Sequence, residues 1–195
     1  SDAGTPLISD PGFKLVRDAR AAGRNVVTIP GPSAVIAGLT LAGLPTDRFL
    51  FMGFLPAKQG QKETTISEVA SVRATLVFYE SGPRLGATLA TLARLLGPRE
   101  AAVARELTKT FEECVTGPLP ELAARYADAP PKGEIVLMVG PPCEPEPASD
   151  ADGEAALIEA LTRLPPAKAA GEVARALGLD RKALYARAMA LKSSG

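Results

Sequence analysis

SDAGTPLISDPG, residues Ser1 to Gly12, is the stretch from which the rest of the chain can be read. Its twelve residues include two Gly, two Pro, two Ser, two Asp and a Thr. That composition suits neither a helix interior nor a strand interior. Small residues let a ligand come close to the backbone, and Asp and Ser can cap or hydrogen-bond what arrives. Ser9-Asp10-Pro11-Gly12 predicts a helix start, a capping side chain followed by Pro at or near the first helical position. A Gly-containing loop that opens a helix can hold a polar ligand. A plain loop–helix connection with no ligand would carry the same letters.

A second loop of the same kind lies downstream. The apolar run Asn25 to Ile29, expected to be a buried strand, leads into Pro30-Gly31-Pro32-Ser33-Ala34 and a further helical stretch. With one βα unit between them, the two turns are expected on the same edge of a parallel sheet. At the carboxyl ends of the strands, that edge is where open α/β sheets bind ligands.

The composition excludes several classes of function. Lys+Arg and Asp+Glu are equal at 22 each, so the chain is not a globally basic nucleic-acid binder, although a local patch is compatible with this balance. No apolar run reaches the ~18 residues of a membrane helix, and no basic start leads into an apolar core, so the cytoplasm is the expected location. Cys114 and Cys143 are far apart and suggest neither a zinc site nor a disulfide framework. There is no His, which removes Ser-His-Asp chemistry and His-based proton transfer. Catalysis is left to an electrophilic cofactor, carboxylates, Lys, Tyr or backbone dipoles.

Along the chain, helices are predicted over 11–22, 33–42, 63–72, 84–96 and 118–126. Strands are predicted over Phe49 to Phe54 (a central one), Thr75 to Tyr79, Ala101 to Leu107, Phe111 to Thr116 and Glu134 to Val139. Leu55 to Lys62 is polar and expected to be a loop, solvated or acting as a lid or phosphate contact. Residues 141–153 hold four Pro and four acidic residues and read as a linker. Beyond it, helices over 167–177 and 181–191 joined by Gly178-Leu179 make a helix-turn-helix pattern. Seven basic side chains face four acidic ones between Glu154 and Lys192, a net charge of +3. A small helical docking domain would share this pattern.

SDAGTPLISDPG with IPGPSA closely resembles the tetrapyrrole methylase superfamily, S-adenosylmethionine enzymes with two α/β domains and the cofactor in the cleft between them. GLPTDRFLFMGFLPAK (43–58), TLVFYESGPR (75–84), RELTKTFEE (105–113) and KGEIVLMVG (132–140) narrow the similarity to the ribosomal RNA small subunit methyltransferase I branch. The motifs run in the right order over essentially the whole chain. The resemblance implies residues 1–46 as the remainder of a first α/β domain, 47–141 as a second, 142–153 as linker and 154–195 as a helix-turn-helix-like domain. Because Ser1 opens in mid-motif, the chain is expected to be truncated at its N-terminus, which bears on whether the fragment alone binds cofactor or turns over.

Carried onto matching positions, the cofactor contacts implied are Asp2, Ala3, Gly4, Thr5 and Ile8, then Ser33 and Ala34, then Phe54, Leu55 and Arg105. Close packing or core burial would equally explain Ala3, Ala34, Phe54 and Leu55. A ribose 2′-hydroxyl needs a proton acceptor, and Glu80, Glu106 and Lys109 are the candidates, with surface ion pairs such as Arg105–Glu106 or Lys109–Glu112 as the ordinary alternative. The function implied is 2′-O-methylation of a cytidine in small-subunit ribosomal RNA, by a homodimer and without a metal. Carbon methylation of a tetrapyrrole, or a non-catalytic helix-turn-helix binding module, are the alternatives.

Overall fold

A computed structural model describes residues 4–142 and 149–193. The chain divides into two compact units, Ser1–Cys143 and Glu144–Gly195. Among the described residues, no helix is long and apolar enough to cross a membrane.

The first unit opens with α1 (Phe13–Ala21) and α2 (Ala34–Leu41). Then follow β1 (Phe49–Phe54), α3 (Gln59–Glu68), β2 (Thr75–Ser81), α4 (Gly82–Leu96), β3 (Glu100–Arg105), β4 (Glu113–Pro118), α5 (Leu119–Arg125) and β5 (Glu134–Val139). The five strands form one sheet in the order β1-β2-β5-β3-β4. Only β1 and β2 run parallel; the other three pairings are antiparallel. The sheet is therefore a mixed one, with β3 and β4 adjacent as expected, and β1 is an edge strand rather than a central one.

Strand alternation sorts the core into two layers. Leu76 and Phe78 of β2, Ala101 and Val103 of β3, and Ile135 and Leu137 of β5 pack with Ile66 of α3, Leu85, Leu89 and Leu92 of α4 and Leu122 of α5. Val77, Ala102, Ala104, Val136 and Met138 face the other way, against Val35 and Leu39 of α2. Gly38 lets α2 approach closely, since a Cβ there would lie 3.0 Å from a Val136 methyl.

Three further expectations change. Asn25 to Ile29 pairs with no strand, and Val27 and Ile29 are 76% and 84% exposed. β-branched residues favour extended backbone, but a strand exists only with a ladder partner. The segment 59–62, expected in a loop, is the first turn of α3, where Lys62 is buried and donates to Thr88 Oγ1 at 3.1 Å. The strands flanking RELTK are shorter than expected, ending at Arg105 and restarting at Glu113, because Glu106 and Thr108 take left-handed backbone.

The second unit consists of α6 (Asp150–Leu161), α7 (Pro166–Leu177) and α8 (Arg181–Ser193). Helix α6 starts inside the stretch expected to be linker. Ser149 accepts from the Asp152 N–H and the Asp152 side chain returns to the Ser149 N–H, a capping box that outweighs the acidic, Pro-rich composition before it. Leu157, Ala169, Ala170, Val173, Leu184 and Ala188 form this unit's own core.

Candidate active site

The carboxyl ends of β1, β2 and β3 and the start of β5 share one edge of the sheet. Phe54 is in register with Tyr79, and both Glu80 and Arg105 are in register with Ile135. The segments singled out from sequence, GFLP, FYES and RELTK, leave the sheet at this edge.

The two small-residue loops are pinned together. The Thr5 N–H donates to Pro32 O at 2.8 Å and the Thr5 hydroxyl to Gly31 O at 3.0 Å. Gly4 has φ +73°, and a Cβ on it would lie 2.7 Å from Pro32 O. This glycine therefore makes room for the neighbouring loop, not for a ligand directly. Ser9 reaches β1, its hydroxyl standing 3.0 Å from where a Cβ on Gly53 would be. A bulge between Phe51 and Gly53 breaks the β1 register just before Phe54.

Tyr79 joins the second loop to the strand edge. Its ring meets Phe51 at 4.9 Å and Phe54 at 5.5 Å, both edge-on. Burial pushes the phenol above its ordinary value and the Glu134 carboxylate adds to this, while the Val35 N–H and the Ser33 side chain pull it back. Ser33 is half-buried, and Ala34, Ile8 and Phe54 are exposed. Sequence reading overlooked Tyr79, although alternation along TLVFYES sets it on the α2 face with Val77.

The same alternation turns Glu80 toward α4, with Leu76 and Phe78. Glu80 is 1% exposed; it accepts from Thr88 Oγ1 at 2.7 Å and the Ser81 N–H at 2.9 Å, and pairs with Arg84 at 3.2 Å. Arg84 also donates to Leu55 O at 2.6 Å. Beside them, burial holds Lys62 below its ordinary value, opposed by Glu80 and reinforced by Arg84. Glu80 thus belongs to an internal polar network on the opposite side of the sheet from the glycine loops. Leu55 is 3% exposed and its side chain lies in the α3–α4 core. Arg105 is engaged with Glu113 at 2.6 Å.

Of the two carboxylates singled out from sequence, Glu106 is the one left at the edge. Its Oε1 touches Gly133 and lies 3.3 Å from Lys109 Nζ. The Thr108 N–H donates to Glu112 at 2.6 Å, closing the loop on itself. The pairs formed differ from those expected: Arg105 and Glu113 are cross-strand partners in β3 and β4, and the turn through Glu106 and Thr108 brings Lys109 back to Glu106. Among the described residues, the non-glycine positions with left-handed backbone are Leu7 (φ 74°), Ser9 (56°), Glu106 (51°) and Thr108 (65°). Each costs on the order of 1–3 kcal/mol, and such strain gathers at functional sites. All four fall in the opening loop or in RELTK. No group of three or more Cys, Asp or Glu among the described residues could hold a metal ion. Asp2 and Ala3 lie outside the described residues.

Comparison with known proteins gives two matches within the chain. Residues 1–123 match the family Tetrapyrrole (Corrin/Porphyrin) Methylases, and residues 147–192 match the RsmI C-terminal HTH domain. Proteins named "Ribosomal RNA small subunit methyltransferase I" are 59% identical in Erythrobacter litoralis, covering 91% of this chain and 63% of that protein. In Mesorhizobium japonicum the figures are 50%, 100% and 66%, and in Xylella fastidiosa 46%, 95% and 69%. The chain thus spans less than two thirds of the first two relatives. Among solved structures, the methyltransferase CobJ aligns with TM-score 0.52 at 22% identity, over 71% of this chain and 62% of that one. A diphthine synthase aligns with TM-score 0.55 at 18% identity, over 71% and 57%. These two likenesses concern the fold.

Proposed function

Because the chain belongs to the tetrapyrrole methylase family, we propose that it is an S-adenosylmethionine-dependent methyltransferase acting on the ribose 2′-oxygen of a cytidine in small-subunit ribosomal RNA. The names of its relatives and the matched C-terminal domain support an RNA substrate over a tetrapyrrole. The observation that carries the site is the confinement, among the described residues, of left-handed, non-glycine backbone to the opening loop and RELTK. On this reading the protein works as a homodimer in the cytoplasm, with residues 1–46 and 47–141 as two methylase domains, and it needs no metal.

The arrangement fits the cofactor. Gly4 and Thr5 pin the first loop to the second, and Ser33, Ala34 and Phe54 present small or flat surfaces with the exposed Ile8; Asp2 and Ala3 are assigned to the cofactor on the family resemblance. Leu55 and Arg105 act from behind, one from the core and one through Glu113. S-adenosylmethionine, when bound, supplies a methyl on a sulfonium that is already activated for displacement. The chain's work is to orient the acceptor and take its proton. Glu106 is the proton acceptor from the 2′-hydroxyl, and Lys109 steadies the carboxylate. Glu80 keeps the scaffold in place instead.

Disrupting the gene in its host and mapping 2′-O-methylcytidine in small-subunit ribosomal RNA tests this. One modified position should disappear and return with the intact gene, but not with Glu106→Gln. An unchanged methylation map would overturn the assignment.

A further inference from the structure

The second unit carries a groove of 640 Å³ between α7 and the start of α8. Ala167, Gly171 and Ala174, at helical spacing on one face of α7, give it a floor almost free of side chains. The Arg181 guanidinium lies across that floor, its Nε 3.6 Å from where a Cβ on Gly171 would be. Lys168 and Arg175 stand with it along the walls, all three exposed.

The unit's recorded salt bridges use other cations. Arg163 pairs with Glu172 at 2.7 Å and Arg187 with Glu154 at 2.5 Å. Glu172 is the only acid lining the groove, and Arg163 already offsets it. Among the described residues, no ion pair engages Lys168, Arg175 or Arg181. No aromatic side chain lines the groove, so no ring there can stack on a base, and Leu164 is its one large apolar lining residue. A peptide partner held by apolar anchors would need pockets for those side chains. A sugar–phosphate backbone needs only spaced cations and a clear path, and Arg is suited to bidentate phosphate contact.

We propose that this groove holds consecutive phosphates of an RNA strand, making the second unit a sequence-independent anchor rather than a reader of bases. The proposal rests on the ribosomal RNA reading above for the identity of the nucleic acid. It places recognition of the target cytidine outside this groove.

The test is RNA binding by the whole chain over a range of salt concentrations, with several RNAs of unrelated sequence. The combined variant Lys168→Gln/Arg175→Gln/Arg181→Gln should bind roughly 10- to 100-fold more weakly at ~0.1 M salt, by the same factor for every RNA. Its plot of log affinity against log salt should lose about 2 from the slope, near 0.7 for each single-strand phosphate contact. Each single variant should lose a part of this. Arg187→Gln, whose partner Glu154 does not line the groove, should stay within about twofold of the parent. An unchanged slope overturns the proposal, as does a loss confined to one sequence or displacement by polyglutamate in preference to RNA. Groove-dependent RNA binding without methyl transfer would overturn the enzymatic reading alone. Methyl transfer with an unaltered slope would overturn the groove alone.

Discussion

Gly4 and Pro32 show how one missing side chain holds the candidate site together. Gly4→Val would force a β-branched residue into left-handed backbone and drive its Cβ against Pro32 O. Cofactor affinity measured by calorimetry should fall below detection while the sheet still folds. Glu80→Ala should act on stability, because it leaves the half-buried Arg84 without its buried partner; unfolding free energy in urea should drop by about 3 kcal/mol. Glu106→Gln should leave that free energy within about 0.5 kcal/mol and remove methyl transfer. Tyr79 gives a pH signature. Its folded phenol titrates above the ordinary value of 10.0, so its contribution is present below that pH and is lost as pH rises through the folded value. The fall in melting temperature between pH 7 and pH 10.5 should therefore be smaller in Tyr79→Phe. A close approach at Gly4 was legible in a loop so rich in small residues, but the sequence assigns it to a ligand and the structure gives it to Pro32 O. That Glu80 turns to the α4 side was also written there, in the alternation of TLVFYES. Glu80 was misjudged because proximity to a strand end was weighed without asking which face it took.

Element boundaries were legible wherever local chemistry decides them. Gly97-Pro98 closes α4, Gly178 caps α7 in left-handed backbone, and β5 runs over the residues expected of it. Two segments decided by distant partners were not legible. Asn25 to Ile29 has strand composition but no ladder, and the first turn of α3 depends on Lys62 finding Thr88, 26 residues away. The capping box at α6 lies between these cases, because Ser149 and Asp152 are local but sit within a stretch whose bulk composition is that of a linker. Ser149→Ala should lower the stability of the second unit by about 1 kcal/mol, read as a downward shift of its melting transition.

At the scale of the whole molecule, each unit has a core of its own. Calorimetry of the full chain should resolve two transitions. Leu157→Ala, at a fully buried position of the helical core, should lower one of them by the equivalent of about 2–5 kcal/mol and leave the other in place. Within the first unit the sheet acts as a bulkhead. Two consecutive residues of one strand, a phenol and a carboxylate, open onto separate compartments, one beside the apposed glycine loops and one sealed among α3 and α4. Chemistry on the first side can be retuned without disturbing the ionic truss on the second. Doubly substituting Tyr79 and Glu80 should cost the sum of the single losses, as though the two stood in different proteins.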